Sequence, residues 1–390
     1  MKKTAIFISV LFLYSFCFSQ SSKNLKQFIR GNIQDKISSI RNASQEENVS
    51  ISLMALDFCL QNKAVLEDDR DLDALCLLSL LSLPYNYTDS LSQDEKAEFS
   101  EKTLEIFNSF SDENVRIAVL NKISSGKLDS PSFVELLNSF LSDDFQNFSQ
   151  NFSQDFYKNL ISASGEIGNE QTFKILFEKY RDDSYKSFKS ELKEAIVKLS
   201  DNSVKDITDI ISSGNLSDLR FIFETIVQNE KKTQVFRSQI AENILSASIY
   251  ITEDNSSLNE LILLQVEVMK FLAESKWTRG SDTILKFYNL AKNEYTNGIM
   301  NTSDFCIVIK AVSETVPIKA VSLFSDYLIE LNRQKENDAD VQEEIVLALI
   351  SALGAIGDKN AFDSLLSVTY YDYSDEVINK ARSALAGLKW

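Results

Sequence analysis

Residues 160–177 read LISASGEIGNEQTFKILF, and residues 349–366 read LISALGAIGDKNAFDSLL, with nine identities in eighteen positions and no gap. In both copies the apolar residues recur at spacings of three and four, the period of a helix face, and a glycine follows where that face ends. A chain that repeats such a block is expected to stack helix pairs, each burying a face that one pair cannot bury alone. The expected fold class is all-α: an α-solenoid of about nine to ten antiparallel helix pairs with a period near 40 residues.

The turn inside the block has its own chemistry. Gly168 and Gly357 are expected in the left-handed conformation that closes a helix, and Asn169 and Asp358 to cap the free amides of the next one. Similar cap signals stand at Ser111-Asp112, Asp201, Ser203, Ser303-Asp304 and Ser374-Asp375, giving about nineteen helical segments in all. Leu25, Phe28, Ile29, Ile33, Ile37 and Ile40 form one helical stripe. Phe145, Phe148, Phe152 and Phe156, inside FQNFSQNFSQDFY, form another, whose one-faced spacing points to core rather than to an aromatic binding strip. Three prolines and ten glycines are too few for an all-β sandwich with frequent turns, and 44% hydrophobic residues suffice for a core.

Residues 1–19 have the pattern of a secretory signal peptide: Lys2 and Lys3, an uncharged apolar run from Thr4 to Phe18, then Cys17-Phe18-Ser19 before Gln20. About 15 apolar residues fall short of the roughly 20 that span a bilayer. Lipidation of Cys17 is disfavoured by Phe16, because a lipobox wants a small residue there. The array is expected over 20–390, with no membrane insertion after cleavage. Removing two lysines takes the formal charge from −17 to −19. No stretch is basic without interleaved Asp or Glu, so no nucleic acid is expected as a partner, and anionic membrane surfaces are disfavoured on the same ground. The eight Asn-x-Ser/Thr sequons, among them Asn42, Asn86 and Asn215, are expected by chance in a chain rich in Asn and Ser. The short lysine start and the Lys, Asn, Ile and Phe bias suit a bacterium of low GC content. The expected location is the periplasm or cell envelope.

Cys59, Cys76 and Cys306 remain beyond the leader. Cys59 and Cys76 lie on apolar helical faces that can be neighbours in one hairpin and be joined in an oxidising compartment; the alternative is three small buried hydrophobes.

The stretch ALISALGAIGDKNAFDSLLSVTYYDYSDEVINKARSALAGL resembles HEAT or HEAT-like repeats. It carries Leu353-Gly354-x-Ile356-Gly357-Asp358, then Ala361, Leu365 and Leu366, an acidic turn, and Val377, Ala381, Ala384 and Leu385. Asp112 to Ile123, DENVRIAVLNKI, is similar in its Asp112, Val115, Arg116 and Ala118, whereas Ile378 stands where the family usually has arginine. The best-matched repeats are 110–180 and 340–390; between about 180 and 340 the pattern is degenerate. The resemblance implies a right-handed superhelix that holds other molecules in its curved surface.

There is no histidine, which removes Ser-His-Asp and Cys-His catalysis, His-ligated zinc and imidazole proton shuttles. No glycine-rich phosphate loop follows a strand pattern. Asp69-x-Asp71-x-Asp73 opens like a calcium loop, but Ala74 replaces its glycine and Leu80 its glutamate, which leaves a solvated helix start. Neither metal nor cofactor is expected. Tyr370, Tyr371, Asp372 and Tyr373 crowd one turn and Trp390 ends the sequence; these are expected either to contact a partner or to seal a terminal repeat. The expectation is a non-catalytic scaffold with a protein partner. The alternatives are an exported all-α enzyme acting through paired carboxylates on an envelope polymer, and a carrier of a small ligand in the groove.

Overall fold

The computed structural model describes residues 23–67, 69–128, 130–251 and 257–389. The proposed leader, residues 1–19, and Trp390 lie outside them. The described residues form twenty-one α-helices and no strand; an isolated parallel bridge joins Asp358 and Lys389. They divide into two compact units, within Met1–Ser203 and within Val204–Trp390.

The first unit holds α1 (Lys23–Arg30), α2 (Ile33–Asn42), α3 (Gln45–Leu66), α4 (Arg70–Ser82), α5 (Gln93–Ser109) and α6 (Glu113–Gly126). It continues with α7 (Pro131–Ser142), α8 (Phe145–Asn151), α9 (Gln154–Ile167), α10 (Glu170–Arg181) and α11 (Lys189–Leu199). The second holds α12 (Val204–Ser212), α13 (Leu216–Ile222), α14 (Gln234–Ser248), α15 (Leu258–Glu274) and α16 (Ser281–Thr296). After these come α17 (Thr302–Thr315), α18 (Pro317–Glu336), α19 (Glu343–Ile356), α20 (Phe362–Val368) and α21 (Asp375–Ala386).

Most starts are written locally. Asn32, Ser44, Ser92 and Asn169 cap their helices in reciprocal capping boxes, and Asp112, Ser130, Asp144, Ser153, Asn215, Thr233 and Asn301 accept from an amide of the first turn. Caps also break stripes that periodicity reads as single helices. The Leu25–Ile40 stripe divides at Gly31 and Asn32, because Asn32 bonds the Asp35 amide and starts a new helix, leaving Ile29 46% exposed. The phenylalanine run divides at Phe152 and Ser153, where Ser153 caps α9. Three of the four rings nevertheless cluster: Phe152 stacks on Phe156 at 4.6 Å and lies 5.0 Å from Phe148, with Phe107 and Phe140 beside Phe156, while Phe145 packs instead edge-on against Tyr185 at 5.2 Å. At Ser303-Asp304 the cap is Asn301 instead. Ser374 precedes α21, yet its side chain bonds Glu343 rather than an amide of its own helix.

The repeated glycines divide in role. Gly357 has φ +70°, as expected, but Gly168 has φ −65° and ψ 168°. Crowding excludes a side chain at Gly168: a Cβ would lie 2.3 Å from the Ser164 carbonyl oxygen and 2.6 Å from Thr172 Cγ2. The glycine inside each copy permits a close helix crossing. A Cβ on Gly165 would come 2.7 Å from Ala195 Cα on α11, and one on Gly354 2.9 Å from Ala384 Cβ on α21.

Helices also pack on those two or three along the chain. In the first unit α2 packs on α4, α4 on α6, α6 on α9 and α9 on α11; in the second α15 packs on α17, α17 on α19 and α19 on α21. Polar bonds join successive pairs: Lys122 Nζ to the Leu83 carbonyl (2.6 Å), Thr172 Oγ1 to Asn138 (2.7 Å), Asn332 to Ser367 (2.7 Å) and Ser364 to Ser325 (3.1 Å), each spanning 34 to 39 residues of sequence. One bond recurs: Glu113 accepts from the Ser153 amide and hydroxyl in the first unit, and Glu343 from the same groups of Ser374 in the second. Irregular turns lie between the two copies of the repeated block, a 3-10 turn at Asp183–Phe188 and a π turn at Phe223–Val227. By length and composition α3 is apolar enough to cross a membrane, with a mean hydropathy of 1.3, and its buried face packs on α4.

Candidate interaction surface

Four of the five residues expected to form a contact surface lie in the connection between α20 and α21, in unlike surroundings. Tyr370 is 77% exposed, Asp372 is exposed and Tyr371 is half-buried. Tyr373 is buried, and its hydroxyl donates to Asn332 Oδ1 at 3.1 Å. Burial first, and then the Glu343 carboxylate, push its phenol up to about 12. Tyr373 therefore ties the turn to α18. The outward surface here consists of Tyr370 with Tyr371 and Asp372, and Trp390 lies outside the described residues.

A second apolar feature lies in the same unit, and periodicity alone does not show it. Ile318, the residue after Pro317 at the start of α18, is 88% exposed. Pro317 lines a groove of about 660 Å³ between α17 and α19, whose floor includes Ala348, Ala352 and Ile356 and whose edge carries Lys310 and Glu314. Cys306 is half-buried in it, with Sγ 3.7 Å from the Glu344 carbonyl oxygen; burial and then the Glu344 carboxylate push its thiol up. Pro317 marks the helix start, but no sequence signal shows that Ile318 faces outward.

Other grooves also lie between neighbouring helices. One of about 390 Å³ between α3 and α5 gathers Asp57, Glu98, Glu101 and Glu105, with Lys102 2.7 Å from Asp57. One of about 590 Å³ is lined by Thr208, Asn243 and the 73% exposed Tyr250. A third, about 630 Å³, is lined by Lys179, whose Nζ donates to Tyr185 Oη (2.6 Å) and the Asp143 carbonyl (3.0 Å). Burial lowers the Lys179 pKa, opposed by nearby acids of which Asp182 is the strongest. These hydrogen bonds hold Lys179 as a structural tie. Asp69 caps α4 by accepting from the Asp71 and Leu72 amides, and Asp73 pairs with Lys63 at 3.1 Å. No three metal-binding side chains come together among the described residues.

Burial raises the carboxyl of Glu294 above its ordinary value. Its Oε2 is buried without a hydrogen-bond partner, and it lines none of the grooves above. No protein-family model, curated protein or solved structure matches the chain.

Proposed function

We propose that each unit is an α-solenoid of HEAT-like helix pairs and that the protein is an exported, non-catalytic scaffold of a bacterial envelope that binds a protein partner. The observation that carries the reading is the bonding of successive helix pairs at repeat spacing, Lys122 to Leu83 and Asn332 to Ser367 among them. Such bonds hold neighbouring pairs in fixed register, so that surface residues on different helices keep their spacing. Tyr370 and Ile318 supply apolar area on that framework, and tyrosine adds a hydroxyl to it. A carrier role has the apolar groove at Ala348 and Ala352 in its favour.

Crosslinking of the tagged full-length protein in cells, followed by purification and mass spectrometry, tests the scaffold reading. A stoichiometric envelope protein is expected, and it is lost from the Tyr370→Ser/Ile318→Ser variant while helical content is unchanged. Recovery of the bare protein with a bound lipid or other small apolar molecule would overturn the scaffold in favour of the carrier.

A further inference from the structure

α3 and α4 pack against each other as a hairpin, and the Lys63 ammonium, 3.1 Å from the Asp73 carboxylate, ties one to the other. One turn further from the connection stand Cys59 on α3 and Cys76 on α4, on the faces these helices turn toward each other. Cys59 Sγ lies 3.8 Å from the carbonyl oxygen of Leu72, the residue one turn before Cys76. Both cysteines are 0% exposed, and both are free thiols in this structure. Cys306, the third cysteine beyond the leader, belongs to the other unit and faces Glu344.

We propose that Cys59 and Cys76 are joined by a disulfide in the exported protein, a covalent staple across the α3–α4 hairpin. The proposal rests on the export reading, since an oxidising compartment supplies the chemistry. The oxidant is a disulfide, either of a thiol oxidoreductase or of oxidised glutathione. One cysteine thiolate attacks a sulfur of that disulfide, forming a mixed disulfide and releasing one thiol of the oxidant. The second thiolate then displaces the remaining thiol. The two cysteines lose two protons and two electrons, and the oxidant becomes two thiols. Contact with Cys59 and burial push the Cys76 thiol up in the folded protein, so exchange belongs to the folding chain, before the hairpin is covered. Once closed, the bond restricts the unfolded chain and reserves both sulfurs from pairing with Cys306.

The test uses the full chain carrying Cys17→Ser, unfolded and refolded in a mixture of reduced and oxidised glutathione. After denaturation without reductant, alkylation is expected to label one thiol, at Cys306, against three after reduction, and peptide mapping to recover the Cys59–Cys76 link. Reduction is expected to lower the urea midpoint of this protein and to leave that of a further Cys59→Ala/Cys76→Ala variant unchanged. Three labelled thiols in the refolded helical protein, or a link involving Cys306, would overturn the proposal. Fractionation of cells expressing the unaltered chain reports on export separately: retention in the cytoplasm sinks that reading while the refolding experiment still decides the bond.

Discussion

Single residues set how closely neighbouring helices cross. Gly165 and Gly354 stand where a methyl group would enter the next helix of the same row. Gly165→Ala is expected to lose about 1–3 kcal/mol by overpacking, whereas Gly387→Ala, whose new Cβ meets nothing nearer than 3.5 Å, stays within about 0.5 kcal/mol. Urea titrations of the two variants check this, and Ala384→Gly should partly rescue Gly354→Ala. Glu294 offers a pH test. Burial raises its folded pKa above the ordinary 4.5, so its share of stability is full below that value and is lost as pH rises through the folded pKa. Glu294→Gln is therefore expected to raise the urea midpoint at pH 7.5, with the gain gone below about pH 4. An equal gain at both pH values would show that charge is not the cause.

At the scale of elements, the joint between α8 and α9 shows how a broken helix keeps its packing. Ser153 ends the phenylalanine run as one helix, yet Phe148, Phe152 and Phe156 still meet across the break. Phe156 is fully buried, and Phe156→Ala is expected to destabilise by roughly 3–5 kcal/mol, read from its thermal or urea transition. The Glu113–Ser153 bond joins the starts of α6 and α9. A double-mutant cycle with Glu113→Gln and Ser153→Ala should give a coupling of about 1 kcal/mol, as should Glu343→Gln with Ser374→Ala. No coupling in either cycle would mean that these groups meet without stabilising the fold.

For the whole molecule, the export reading makes a prediction of mass. Expressed with its own first residues in a bacterium, the protein is expected in the envelope fraction with Gln20 at its N-terminus; a retained Met1 in the cytoplasm would overturn it. Its acidity, with 57 acidic against 40 basic residues, predicts no retention on nucleic acid at physiological salt, which a shift assay checks.

Much of this organisation can be read from residues alone, because its causes are local. Apolar spacing of three and four marks helices whatever lies beside them, and Ser, Asn or Asp before an apolar run marks a start, since the cap bond closes within three residues. The all-α class and the Asn169 turn were legible for that reason, as was the neighbouring placement of Cys59 and Cys76 in one hairpin. Periodicity did not show that Ser153 interrupts a face, because the four rings keep helical spacing on both sides of the break. Tertiary structure decided what depends on distant partners. Tyr373 points inward because Asn332, on another helix, receives its hydroxyl, while Tyr370, three residues earlier, has no such partner and faces water. The two glycines of each repeated block look alike in sequence; only the approach of Ala195 and Ala384 separates the one that lets helices cross from the one that ends a helix. Spacing along a chain fixes which residues share a face, and the neighbouring helix determines what that face meets.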